Sequence, residues 1–157
     1  MGLFDFLFKK KEPIGKYSDF KLLTSYSPNF VKFGGNVYES EVVRAAIGAR
    51  ATHISKLSVS VQGSAKKALN VKLKHSPNRF QTWSQFMYRL STLLDVHNTA
   101  FITPIYDEFG EVSGIYAPLP NKVEVVEYGG VPYLRYEFSW GEKAAIELEN
   151  CGIMTKF

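Results

Sequence analysis

The side chains able to do covalent or metal chemistry are few and scattered. The histidines are His53, His75 and His97, and the single cysteine is Cys151. A nucleophilic thiol needs a base close by, and a structural zinc needs four nitrogen or sulfur ligands in tight pairs. This spacing supplies neither. Asp107, Glu108 and Glu111 bring three carboxylates into one short stretch, but without the regular oxygen spacing of a calcium loop, so they read as a solvated turn. There is no glycine-rich phosphate loop, no Gly-x-Ser-x-Gly elbow and no carboxylate pair that spacing alone would nominate. The expectation is a protein that is not an enzyme, with no catalytic residue, no metal and no cofactor.

The elements around these residues are more informative. Leu73-Lys-His-Ser-Pro-Asn78 leads into a long amphipathic segment and then into a β-rich half. Pro77 fixes φ and Asn78 tolerates the left-handed region, which makes Ser76-Pro77-Asn78 a turn. Thr82 with Gln85 three residues on reads as a capping box. Trp83, Phe86, Met87, Leu90, Leu93 and Leu94 then fall on one helical face. The expectation is a core helix, with Trp83 and Phe86 in structural roles.

Composition bounds the rest. The chain has 157 residues, 45% hydrophobic and 22% charged, enough for one ordered domain with a sizeable core. No apolar run approaches the roughly 18 to 20 residues that span a bilayer. The lone cysteine excludes an internal disulfide and fits a reducing compartment. Lys9-Lys10-Lys11 follow the short apolar start instead of preceding it, unlike a secretory signal, and Phe6 removes the hydroxyl that a myristoylation site wants. Charge is uneven: residues 1–75 hold 13 Lys/Arg against 5 Asp/Glu, and residues 76–157 hold 6 against 10. A basic half favours nucleic acid or an acidic membrane surface if its charges converge, and is otherwise a solvated surface.

In chain order, Gly2 to Phe8 places Leu3, Phe4, Leu7 and Phe8 on one side of a short helix, expected to dock on its own domain or a neighbour. Residues 11–38, broken by Pro13, Gly15, Pro28, Gly34 and Gly35, read as an ordered arm with few regular elements. Ser40 to Leu57 reads as a helix capped by Ser40, with Val43, Ile47, Ile54 and Leu57 as its stripe. Leu57 to Val61 alternates as a strand, and so do Leu69, Val71 and Leu73. Beyond the central helix, a hairpin turns at Asp107-Glu-Phe-Gly110, a second at Gly129-Gly130, another turn lies at Ser139 to Glu142, and Ala144 to Leu148 begins a last strand. This gives an α+β domain, two main helices packed on short, mostly antiparallel strands. Residues 1–38 form an N-terminal segment and arm, and residues 39–157 the α+β body.

Several of these residues, in this order, resemble the portal proteins of siphophage-type tailed phages: Pro77-Asn78, Thr82-Trp83, Phe86, Leu93-Leu94, then Asn98-Thr-Ala-Phe101-Ile102 before a strand. Asp107-Glu-Phe-Gly110 and Ile115-Tyr-Ala-Pro-Leu-Pro120 continue the pattern, and the resemblance covers nearly the whole chain. It departs at His97-Asn98, where the family usually has Gly-Asn. The resemblance implies part of a portal wing domain, with Pro77, Asn78, Thr82, Trp83, Phe86, Asn98, Phe101, Gly110 and Pro120 as structural motif residues. It implies a homo-oligomeric ring of about twelve subunits at a capsid vertex. Double-stranded DNA would pass through that ring without sequence-specific contacts, and the partners would be capsid and head-completion proteins and a packaging ATPase. Portals are generally longer, so Phe157 is expected to mark a cut before the stem and clip, leaving a monomer or weak oligomer. A free-standing basic, non-catalytic nucleic-acid-binding domain is the alternative reading.

Overall fold

The computed structural model describes residues 21–24, 40–63 and 66–156. The amphipathic start at Gly2 to Phe8, most of the 11–38 arm and the Phe157 boundary lie outside them. The described elements are strand β1 (Lys21–Thr24), helices α1 (Glu41–Ile54), α2 (Lys66–His75) and α3 (Trp83–His97), and strands β2 (Thr99–Tyr106), β3 (Val112–Tyr116), β4 (Lys122–Tyr128), β5 (Val131–Glu137), β6 (Lys143–Glu147) and β7 (Gly152–Thr155). The fold is α+β: the described residues form three helices and two antiparallel sheets, one ordered β1-β4-β5-β6 and the other β3-β2-β7.

β2 organises the packing because successive side chains of a strand point to opposite faces. Ala100 and Ile102 face α3, where Phe86, Leu90, Leu93 and Ala117 form one core with Ile115, Trp83 and Met87 packed around it. Phe101 faces the other way, into a second core of Val123, Leu134, Tyr136, Phe138 and Ile146. The layers therefore run from α1 through α3 and the three-stranded sheet to the four-stranded sheet. Local chemistry sets the elements: Thr82 and Gln85 form the capping box, and Asn98 ends α3 at φ 57° in the left-handed region. Gly110, at φ 82°, closes the β2–β3 hairpin.

The structure corrects the sequence reading in five places. Leu69, Val71 and Leu73 belong to helix α2, not to a strand: Leu69 and Leu73 are buried one turn apart, while Val71 is 68% exposed. Leu57 to Val61 pairs with no strand among the described residues; Val61 is held by Asn70, whose Oδ1 accepts from the Val61 N–H at 2.7 Å and whose Nδ2 donates to its carbonyl. Ser40 stands at the N-cap of α1 but makes no side-chain cap bond. Lys21 to Thr24, read as irregular arm, pairs antiparallel with β4. The last strand, read as beginning at Ala144, is two strands in different sheets, β6 and β7, separated by a 3-10 turn at Leu148–Asn150.

Candidate assembly interface

Most of the nine motif residues lie where elements meet. Pro77 and Asn78 seal the outer edge of β3: the Pro77 carbonyl accepts from the Ile115 N–H at 2.8 Å, and Asn78 Nδ2 donates back to the Ile115 carbonyl at 3.1 Å. Asn78 also accepts from the Phe80 N–H and donates to Gln81, which fixes the turn into α3. The approach is close enough that a Cβ on Gly114 would lie 2.3 Å from the Pro77 carbonyl oxygen. Thr82 starts α3. Trp83, half-buried against Phe86, donates its indole N–H to the Leu57 carbonyl at 2.7 Å and so ties the end of the α1 segment to α3. Arg89 donates to the Ala117 carbonyl at 3.0 Å and lies over the Tyr116 ring, another tie to the end of β3.

At the far end of α3, the Asn98 carbonyl accepts from the Lys156 N–H at 3.0 Å, binding the helix terminus to the chain after β7. Asp95, one turn earlier, is buried and pairs with Arg50 at 2.9 Å and Lys156 at 3.4 Å. Phe101 packs edge-on against Tyr136, with ring centroids 5.6 Å apart. Pro120 is buried in the link from β3 to β4, and Gly110 stands alone at an exposed hairpin tip. Pro77, Asn78, Thr82, Trp83 and Phe86 thus come together around one joint, while Asn98, Phe101 and Pro120 lie at separate places in the fold and Gly110 only closes a hairpin.

Asp107 and Cys151, two of the groups considered for chemistry, are used structurally. Asp107 Oδ1 accepts from the N–H groups of Phe109 and Glu111, at 2.9 and 3.0 Å, so this carboxylate builds the turn. Burial pushes the Cys151 thiol up, against the opposing pull of the Tyr136 hydroxyl 3.0 Å away, and a thiol held protonated is a poor nucleophile. Among the described residues, no group of three or more His, Cys, Asp or Glu side chains is placed to hold a metal. None of the described helices is long and apolar enough to cross a membrane.

Charge, by contrast, is sharply segregated along the chain, and the boundary lies nearer residue 94 than residue 75. Residues 42–94, which make up all three helices but for the ends of α1 and α3, hold nine Lys/Arg and no Asp or Glu. Residues 95–157 hold four Lys/Arg against ten Asp/Glu. Part of the second group is internally neutralised: Glu124 takes hydrogen bonds from Lys122 and Arg135, and Glu137 pairs with Lys143. Glu108, Glu111, Glu142 and Glu149 are exposed.

Comparisons with known proteins bear on the fold. No protein-family model matches the sequence, and no curated protein matches it. Among solved structures, the chain is similar to one in the neck of an empty GTA (gene transfer agent) particle computed with C6 symmetry, with a TM-score of 0.63 and 14% identity over 82% of this chain. The match spans 37% of that neck chain. At this identity the likeness is one of fold.

Proposed function

We propose that this chain is a structural component of a phage-type portal, the oligomeric ring at a capsid vertex through which double-stranded DNA is packaged and ejected. The observation that carries the reading is the fold shared with a chain of a particle neck over 82% of this chain. The motif residues add support, because five of them cluster where the turn into α3 meets β3 and the end of the α1 segment. A wing-like body of this kind needs rigid joints and patterned surfaces rather than a cleft. On this reading it assembles with copies of itself, meets capsid and head-completion proteins and the packaging ATPase, and contacts DNA through backbone charge alone. The acid-free run of residues 42–94 favours one second reading, a basic non-catalytic domain that binds nucleic acid.

The test is location. Phage-like particles purified from cells producing this chain should contain it in a fixed, low copy number. An antibody against it should label the head–tail junction. Labelling spread over the capsid, or absence from particles, would overturn the portal reading.

A further inference from the structure

Two surface triplets on this chain match each other in charge, each with an exposed apolar side chain between its charges. On α2, Lys67, Val71 and Lys74 stand at i, i+4 and i+7, so they share one outward face. All three are exposed, and Val71 is an uncovered apolar side chain between two ammonium groups. At the tip of the β2–β3 hairpin, Phe109 is 84% exposed between the exposed carboxylates of Glu108 and Glu111. The Asp107 cap and Gly110 in the left-handed region fix the turn that presents it. None of these four charged side chains has an ion-pair partner among the described residues. An aromatic ring presented on a rigid turn and rimmed by charge is the usual make-up of an interface anchor.

We propose that the Glu108-Phe109-Glu111 tip of one copy docks on the Lys67-Val71-Lys74 face of the next, making a head-to-tail contact between successive subunits. The inference rests on the ring reading above and names the surfaces that would meet. Two copies joined tip to tip, or α2 to α2, would set like charges against each other, which interfaces avoid. The complementary pair is satisfied when tip and face belong to different copies, and repetition of such a heterologous contact closes into a ring or runs on as a filament. A second copy fits the basic face better than a nucleic-acid backbone does, because Val71 at its centre offers a phosphate nothing and Phe109 offers Val71 an apolar partner.

A zero-length carbodiimide, which joins an amine to a carboxylate only in direct contact, reads this out. An equal mixture of unlabelled and nitrogen-15-labelled chain at high concentration should give mixed-isotope peptides joining Lys67 or Lys74 to Glu108 or Glu111. The products should form a ladder beyond the dimer, and yield should fall with added salt. The variants E108K/E111K and K67E/K74E, checked for unchanged circular dichroism, should each cut the yield at least about tenfold. Each variant lacks one half of the cross-linked pair, Glu108 and Glu111 in the first and Lys67 and Lys74 in the second, so both yields are those of the whole ladder. The two variants mixed should recover the ladder, since each now complements the other. Ladders with cross-links only elsewhere, a product that stops at dimer, or no recovery on mixing would overturn the contact and leave the portal reading standing. Short duplex DNA that binds the chain, is lost with K67E/K74E and finds no cross-links to displace would also overturn it. Absence of the chain from particles would sink the portal reading alone, since the cross-links do not depend on it.

Discussion

Gly114 sets the tolerance of the joint between helix and sheet. A methyl group there would sit 2.3 Å from the Pro77 carbonyl oxygen, a backbone atom already committed to the Ile115 N–H. Gly114→Ala should therefore destabilise the protein by about 1–3 kcal/mol or more, as overpacking does, although alanine is the smaller change by volume. Chemical denaturation checks it, and a neutral result would mean that the Pro77 turn yields easily. Phe86 and Trp83, alike in the sequence as members of one stripe, separate here. Phe86 is 1% exposed, so Phe86→Ala should cost about 3–5 kcal/mol. Trp83 is half-buried, and its distinctive contribution is the indole N–H to the Leu57 carbonyl. Trp83→Phe replaces the indole with a smaller ring and removes that donor, and the lost hydrogen bond alone should cost about 0.5–1.5 kcal/mol. Equal losses for Phe86→Ala and Trp83→Phe would contradict this division of roles. The stripe was legible from spacing alone. The contacts from Trp83 to Leu57 and from Pro77 to Ile115 were not, because they join residues far apart in the chain.

At the scale of elements, what could be read was whatever local chemistry decides. The Thr82–Gln85 capping box, the turn at Asp107 to Gly110 and the Gly129-Gly130 hairpin all depend on residues within four positions of one another, and all form. Helix α2 was lost because Leu69 and Leu73 satisfy both periods: four residues is two strand repeats and about one helical turn. Only Val71 discriminates, and its exposure requires the tertiary structure. β1 was hidden because its pairing partner, β4, lies about a hundred residues away. The face of the β4–β5 pair opposite the Phe101 core carries a testable electrostatic feature. Glu124 is held below the usual carboxylate range, first by its hydrogen bond with Lys122 and then by Arg135. A depressed folded value means that the contribution is present above the unfolded value of about 4.3 and is lost as pH falls through the lower folded value. Glu124→Gln should thus lower the thermal midpoint at pH 6, and the gap from the parent should close towards pH 3. A gap that stays constant with pH would show that the side chain acts by shape and not by charge.

Across the whole molecule, β2 is the strand that both cores share. Ala100 and Ile102 close the helical core and Phe101 enters the sheet core, while β3 and β7 hydrogen-bond to the two edges of β2. Loss of either core strips one face of β2, and with it the support of the other, so the two should unfold together although each has its own set of side chains. The chain carries a reporter for each. Trp83 lies against Phe86 in the helical core, and Trp140 stacks on Phe138 at the sheet core with ring centroids 5.0 Å apart. Trp140→Phe leaves fluorescence that reports only the helices, and Trp83→Phe leaves fluorescence that reports only the four-stranded sheet. Within each variant, the fluorescence and far-ultraviolet circular dichroism transitions in urea should coincide in midpoint and slope. Trp83→Phe should shift both probes to lower urea by the same amount, since its lost hydrogen bond weakens one cooperative unit. If the sheet tryptophan instead kept the parent midpoint while circular dichroism moved, the helical layer would be a separable unit resting on an independently stable sheet.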